Sequence, residues 1–214
     1  MPETLVKICG LTNLEDTLTA IEMGADLLGF NFYPESPRFM DYPLAKTIFQ
    51  EIPPSIPKVG VFVNEYYQNI IDLVQDLELD YIQFHGDESP EFCNQMGHPW
   101  FKALRLELEG SLDHLDQYEC EWILADAFVA GQYGGTGEKP DWQLAKKIEQ
   151  SRKKLILAGG LNPQNVQLAI ATVKPFAVDV ASGVEAHVGK KDLAKMEEFI
   201  NKAKKARLHM ISPS

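Results

Sequence analysis

The sequence predicts an α/β fold, a single closed (β/α)8 barrel of near-minimal length. Three observations carry that expectation. Eight short apolar runs recur along the chain, each too short for a helix and each with β-formers or glycine nearby. Helix-start signals lie between the runs. The 214 residues divide into eight units of about 27, compact but enough for a strand and its crossover. Alternation of this kind implies a parallel sheet covered by helices, and eight units suggest closure into a barrel. The domain is expected to span residues 1–214, with no linker, low-complexity tract or strong repeat.

The first run, Val6 to Cys9, is followed by Thr12 and Glu15, which look like a capping box. The second is Leu27 to Phe32. The third, Val59 to Val63, follows the loop Pro53-Pro54-Ser55-Ile56-Pro57, which ends the preceding helix. After the fourth, Tyr81 to Phe84, Ser89-Pro90 sets a cap residue before a proline suited to the first helical position. The fifth and sixth are Trp100 to Leu106 and Trp122 to Phe128. The seventh, Leu155 to Ala158, is followed by Asn162-Pro163, the same start signal. The eighth is Phe176 to Ala181. Beyond it, Leu193, Met196 and Ile200 form an apolar helical stripe.

Composition excludes several functions. Lys and Arg number 20 against 31 Asp and Glu, a net charge of −11. That balance argues against nucleic acid, whose phosphates need clustered cations, and against an anionic membrane surface. It leaves room for a small anion held by local donors. Three cysteines suggest no disulfide framework. The N-terminus lacks the apolar stretch of a signal peptide, and no run approaches the roughly 18 apolar residues of a membrane span. The expected compartment is the cytoplasm.

Side chains alternate faces along a strand. Turning the apolar face toward the helices turns Lys7, Cys9, Gln83, His85, Lys102, Asp126 and Asp179 inward. Buried polar groups are costly unless paired or engaged in chemistry, and several of these lie near strand C-termini, where barrel active sites are built. An internal network such as Lys7 with Asp179 is the structural alternative. Glycine turns add a second signal: Tyr133-Gly134-Gly135-Thr136-Gly137, Ala158-Gly159-Gly160-Leu161 and Ala181-Ser182-Gly183-Val184-Glu185. Glycine lets backbone N–H groups cradle a phosphate, and the loops after strands seven and eight are the usual barrel site for one.

Together these segments resemble the phosphoribosylanthranilate isomerase family. The resemblance runs through Val6-Lys7-Ile8-Cys9-Gly10-Leu11-Thr12, Tyr33-Pro34-Glu35-Ser36-Pro37-Arg38, Gly60-Val61-Phe62-Val63-Asn64 and Gln83-Phe84-His85-Gly86. It continues through the Asp126 segment, Ala158-Gly159-Gly160-Leu161-Asn162-Pro163 and Val178-Asp179-Val180-Ala181-Ser182-Gly183-Val184-Glu185. It covers about residues 5 to 205. Val188 and Phe84 stand where the family often carries proline and leucine.

The resemblance implies an Amadori rearrangement in tryptophan biosynthesis. N-(5′-phosphoribosyl)anthranilate becomes 1-(2-carboxyphenylamino)-1-deoxyribulose 5-phosphate, with no metal or organic cofactor. Cys9 matches the general base, Asp126 the general acid and Arg38 the group that holds the anthranilate carboxylate. Gly159, Gly160, Ser182 and Gly183, in the turns after strands seven and eight, match the phosphate cradle, and Gln83, His85, Gly135 and Asp179 are the remaining candidates for substrate contact. The reaction needs an acid to protonate the ribose ring oxygen and a base to take the C2′ proton. Lys7, two residues before Cys9 on the same face, is expected to favour the thiolate. The implied partner is this one small molecule, with no nucleic acid or membrane, on a monomer or homodimer. The alternatives are another sugar-phosphate isomerase or epimerase barrel, or a non-catalytic sugar-phosphate-binding barrel.

Overall fold

A computed structural model of the chain describes residues 4–105, 112, 115–126, 142–149, 151 and 153–206. Eight parallel strands close into a barrel in chain order. They are β1 (Leu5–Cys9), β2 (Leu27–Asn31), β3 (Lys58–Phe62), β4 (Tyr81–Phe84), β5 (Trp100–Arg105), β6 (Trp122–Asp126), β7 (Lys154–Ala158) and β8 (Ala177–Val180). Each falls on one of the eight apolar runs, shifted by a residue or two at its ends. Strand β1 closes the ring, pairing Lys7 with Leu27 of β2 on one side and with Asp179 of β8 on the other.

Helices α1 (Leu14–Glu22), α2 (Tyr42–Phe49), α3 (Tyr67–Leu77), α4 (Pro90–Asn94), α5 (Gln143–Glu149), α6 (Val166–Val173) and α7 (Leu193–Lys205) cover the barrel. None of them is long and apolar enough to cross a membrane. The connection from β5 to β6 includes a short 3-10 turn at Leu115–Gln117. A small antiparallel hairpin, β9 (Glu185–His187) and β10 (Lys190–Lys191), lies between β8 and α7.

The strands have two apolar faces. Outward residues such as Val6, Leu28, Phe30, Phe84 and Ile123 pack against the helices, all essentially without exposure. Inward residues Leu27, Val59, Phe101, Leu124, Ile156 and Ala177 fill the barrel's lower interior. Leu5, Tyr81, Trp122 and Phe176, at the strand starts, close its floor, with Tyr81 and Trp122 stacked at 4.5 Å. Full burial of a large apolar side chain is worth about 1.5–3 kcal/mol, so both faces contribute to folding.

Several local expectations are corrected. The capping box sits one residue later than predicted. Asn13 is the extended cap residue, accepting from the Asp16 N–H at 2.9 Å and donating to its carboxylate at 2.8 Å. The Thr12 hydroxyl instead donates to the Gly189 carbonyl. Ser89 caps α4 as expected, with Pro90 first in the helix. Asn162 caps a turn rather than the helix: it accepts from the N–H groups of Gln164 (2.9 Å) and Asn165 (3.1 Å), and α6 begins only at Val166. In the C-terminal stripe Met196 and Ile200 are buried, but Leu193 is exposed.

Lys102 does not face the barrel interior. Phe101 and Ala103 fill that side, so Lys102 points outward, where its ammonium donates to the Gly86 carbonyl (2.6 Å) and to Glu88 (3.0 Å). Both faces of β5 are apolar, so alternation alone could not orient it. An unpaired cation would be costly in so dry a place, and Glu88 neutralises it.

Candidate active site

A cavity of about 390 Å³ opens at the C-terminal ends of the strands. Cys9, Arg38, Gln83, His85, Asp126, Gly159, Gly160, Asp179, Ser182 and Gly183 all line it. Gly135 and Phe128 lie outside the described residues, as does the whole turn from Tyr133 to Gly137. The sequence reading assigned no role to Asn31, Val61, Val63, Leu161 or Ala181, which also line the cavity.

Cys9 ends β1 and stands over a buried ion pair. Lys7, two residues earlier and wholly buried, donates to Asp179 at 2.7 Å. The Lys7 ammonium also lies near enough to the Cys9 thiol to act on its ionisation. These groups crowd against β2 at Gly29, where an added Cβ would lie 2.8 Å from the Cys9 sulfur and 2.9 Å from the Lys7 nitrogen. Glycine is therefore required there for space. Burial pushes the thiol pKa up, and this outweighs the opposing pull of Lys7; Asp179 adds to the rise. The expected favouring of the thiolate by Lys7 is present, but burial exceeds it. Lys7 itself stays charged: burial disfavours its cation, but Asp179 and Cys9 more than compensate.

Arg38 is no solvated surface charge. Its Nε and Nη2 donate to the two Glu185 carboxylate oxygens, each at 2.7 Å. Glu185 also accepts from the buried Lys191 ammonium at 3.3 Å, and Lys191 donates to the carbonyls of Cys9 (2.7 Å) and Ala181 (3.1 Å). One ionic cluster thus ties the ends of β1 and β8 to the loop after β2. Burial pulls the Glu185 carboxyl up, but the Arg38 bond and the Lys191 and Arg38 charges hold it below its ordinary value. Glu185 closes the turn after strand eight, and nothing in its local sequence marks it for this pairing.

Across the mouth, Gln83 and His85 share the inward face of β4 and its end. The Gln83 amide nitrogen lies 2.7 Å from His85 Nδ1, so it donates and the ring carries its proton on Nε2. Burial lowers the His85 pKa despite the opposing fields of Asp126 and Asp179, so the ring is neutral at neutral pH. The Gln83 amide oxygen is buried with no hydrogen-bond partner among the described residues. Asp126 ends β6, two residues beyond Leu124 of the apolar interior.

The loops after β7 and β8 meet. Gly159 and Gly160 both have positive φ, +86° and +65°, which aims successive backbone groups in a way open to glycine. At Gly183 a Cβ would collide with the Leu161 carbonyl. The two backbones therefore touch, and their N–H groups can converge on one anion.

The fold and this site define a (β/α)8 barrel with a thiol, a carboxylate, a guanidinium and two meeting glycine loops around one mouth. Residues 6–202 match the sequence model of N-(5′-phosphoribosyl)anthranilate isomerase. The Geobacter sulfurreducens protein named N-(5′-phosphoribosyl)anthranilate isomerase is 47% identical over 199 residues, covering 93% of this chain and 98% of that one. A crystal structure of phosphoribosyl anthranilate isomerase from Thermotoga maritima superposes with a TM-score of 0.87 at 44% identity, covering 94% and 99% of the two chains. Another solved structure of the enzyme, in complex with reduced 1-(o-carboxyphenylamino)-1-deoxyribulose 5-phosphate, has a TM-score of 0.84 at 42% identity over the same shares. The chain belongs to the phosphoribosylanthranilate isomerase family and is an isomerase of tryptophan biosynthesis.

Proposed function

We propose that the chain converts N-(5′-phosphoribosyl)anthranilate to 1-(2-carboxyphenylamino)-1-deoxyribulose 5-phosphate, with Asp126 as general acid and Cys9 as general base. One observation carries the assignment: Cys9 and Asp126, on the separate strands β1 and β6, open into the same cavity as Arg38 and the glycine loops. The loops around Gly159, Gly160, Ser182 and Gly183 take the phosphate. Arg38 takes the anthranilate carboxylate, to which a guanidinium can offer two parallel N–H groups. The buried Gln83 oxygen, neutral His85 and Asp179 are suited to ribose hydroxyls. Gly135 is a further candidate for substrate contact by its motif.

The steps follow from these positions. Asp126 protonates the ring oxygen, the C1′–O bond breaks, and the nitrogen lone pair forms an iminium. Its positive charge acidifies the C2′ hydrogen and lowers the nearby thiol's pKa, offsetting the burial that raises it. Cys9 then takes the C2′ proton, the C–H electrons neutralise the iminium, and the resulting enolamine tautomerises to the ketose. The chain acts as a monomer or homodimer in the cytoplasm, where its three unpaired cysteines stay reduced.

The test follows loss of anthranilate-type fluorescence as fresh substrate is consumed. Cys9→Ser and Asp126→Asn are each expected to lower kcat by about 10²–10⁴. Binding without turnover by the intact protein would sink the reading.

A further inference from the structure

We propose that Glu185 is a positioning residue for substrate recognition, fixing the Arg38 guanidinium so that its second hydrogen-bonding edge is presented to the substrate's carboxylate. This rests on the assignment of Arg38 to that carboxylate. A guanidinium carries five N–H groups and two edges that can each meet a carboxylate with paired bonds. Glu185 occupies the edge formed by Nε and Nη2, at 2.7 Å to each oxygen. Among the described residues no other group bonds the guanidinium, so the other edge, Nη1 with the second N–H of Nη2, remains for a ligand in the cavity that Arg38 lines.

Glu185 is itself immobilised. Its side chain is only 5% exposed, and one oxygen is shared with Lys191. The Lys191 ammonium spends its three hydrogens on Glu185, Cys9 and Ala181. Swinging Glu185 away would strand a buried cation, so the carboxylate holds Arg38 against a fixed support. Charge points the same way. Two cations and one anion leave the cluster at +1, which one substrate carboxylate neutralises. A ligand lacking that group leaves the charge unanswered.

Glu185→Gln keeps the shape but turns an N–H group toward the guanidinium, so Arg38 must reorient. The measurement compares affinity for the reaction product with affinity for its phenylamino analogue, which lacks the carboxyl group. Glu185→Gln is expected to weaken product binding about tenfold, the scale of one charge-assisted hydrogen bond, and to raise KM by a similar factor. Analogue binding should be unchanged, which also reports that the variant's site is folded. In an Arg38→Ala background the same substitution should add nothing. Equal weakening of both ligands overturns the proposal, as does an equal loss in the two backgrounds. If Arg38→Ala weakens the product but Glu185→Gln does not, this proposal alone fails. If Arg38→Ala leaves product affinity unchanged, the Arg38 assignment fails, and this proposal with it.

Discussion

The floor and the mouth of the barrel are built from the same strands, one or two inward positions apart. Along β8, Ala177 lies in the dry interior and Asp179 at the cavity. Along β6 the same step leads from Leu124 to Asp126, and from Tyr81 the inward face of β4 leads to Gln83 and His85. Position along the strand, not the face, separates packing from chemistry. The floor contributes stability through apolar area, and the mouth tolerates buried charge because Lys7 meets Asp179 and Glu185 meets Arg38 and Lys191. Substitutions should therefore separate cleanly into losses of rate and losses of stability.

The sharpest break is at the mouth. Cys9→Ser and Asp126→Asn should cost about 10²–10⁴ in kcat while thermal unfolding stays close to that of the parent protein. Asp179→Ala crosses the divide, because it leaves the Lys7 ammonium buried and unpaired. It should cost about 3–5 kcal/mol in denaturant unfolding and lower activity as well. At the floor, Leu124→Ala should cost about 2–5 kcal/mol with KM unchanged in the surviving folded fraction. A matching loss of rate per folded molecule would show that the two regions are not separable.

Acid sensitivity sharpens the same contrast. Glu185 and Asp16 both have carboxyl groups held below their ordinary values of 4.5 and 3.8. For Asp16, burial is the largest influence and raises the value, but the Lys190 bond, the Lys191 N–H and Asn13 outweigh it. The unfolded chain therefore binds these protons more readily. Their contribution is complete above the ordinary values and is lost as pH falls through the lower, folded ones. Glu185→Gln and Asp16→Asn should be less stable at neutral pH and flatter below the ordinary values, as followed by unfolding at stepped pH. The smallest effect lies outside both regions. Asn13→Ala removes a helix cap and should cost about 1 kcal/mol without touching turnover.

The strands were legible because eight short runs of β-formers cannot be helices, and the mouth was legible because polar residues interrupt an inward face of period two. Cys9, Asp126 and Asp179 could be placed that way before any contact was known. Lys102 could not, because Phe101 and Ala103 on one face are as apolar as Trp100 and Leu104 on the other. Glu185 escaped for another reason: it meets Arg38 across 147 positions of chain, and no local pattern encodes such a pair. Lys191, beside Lys190 in sequence, looks like an ordinary charged surface pair, yet one ammonium is buried and the other reaches Asp16 and Glu15. The upward shift of the Cys9 thiol depends on a balance of burial and neighbouring charge that sequence spacing does not report.

The pH dependence of kcat/KM for the unmodified enzyme, set beside that of Cys9→Ser, tests the central claim most directly. This ratio reports the ionisation of the free enzyme's acid and base. A carboxyl ionises well before a thiol, so the fraction with the carboxyl protonated and the thiolate formed is level between the two pKa values and falls above the thiol's. Burial lifts the Cys9 thiol above its ordinary value of 9.0, so the fall in kcat/KM should begin beyond that point, and it should vanish in Cys9→Ser. A fall that begins in the neutral range, or a profile that the substitution leaves unchanged in both shape and height, would contradict the account.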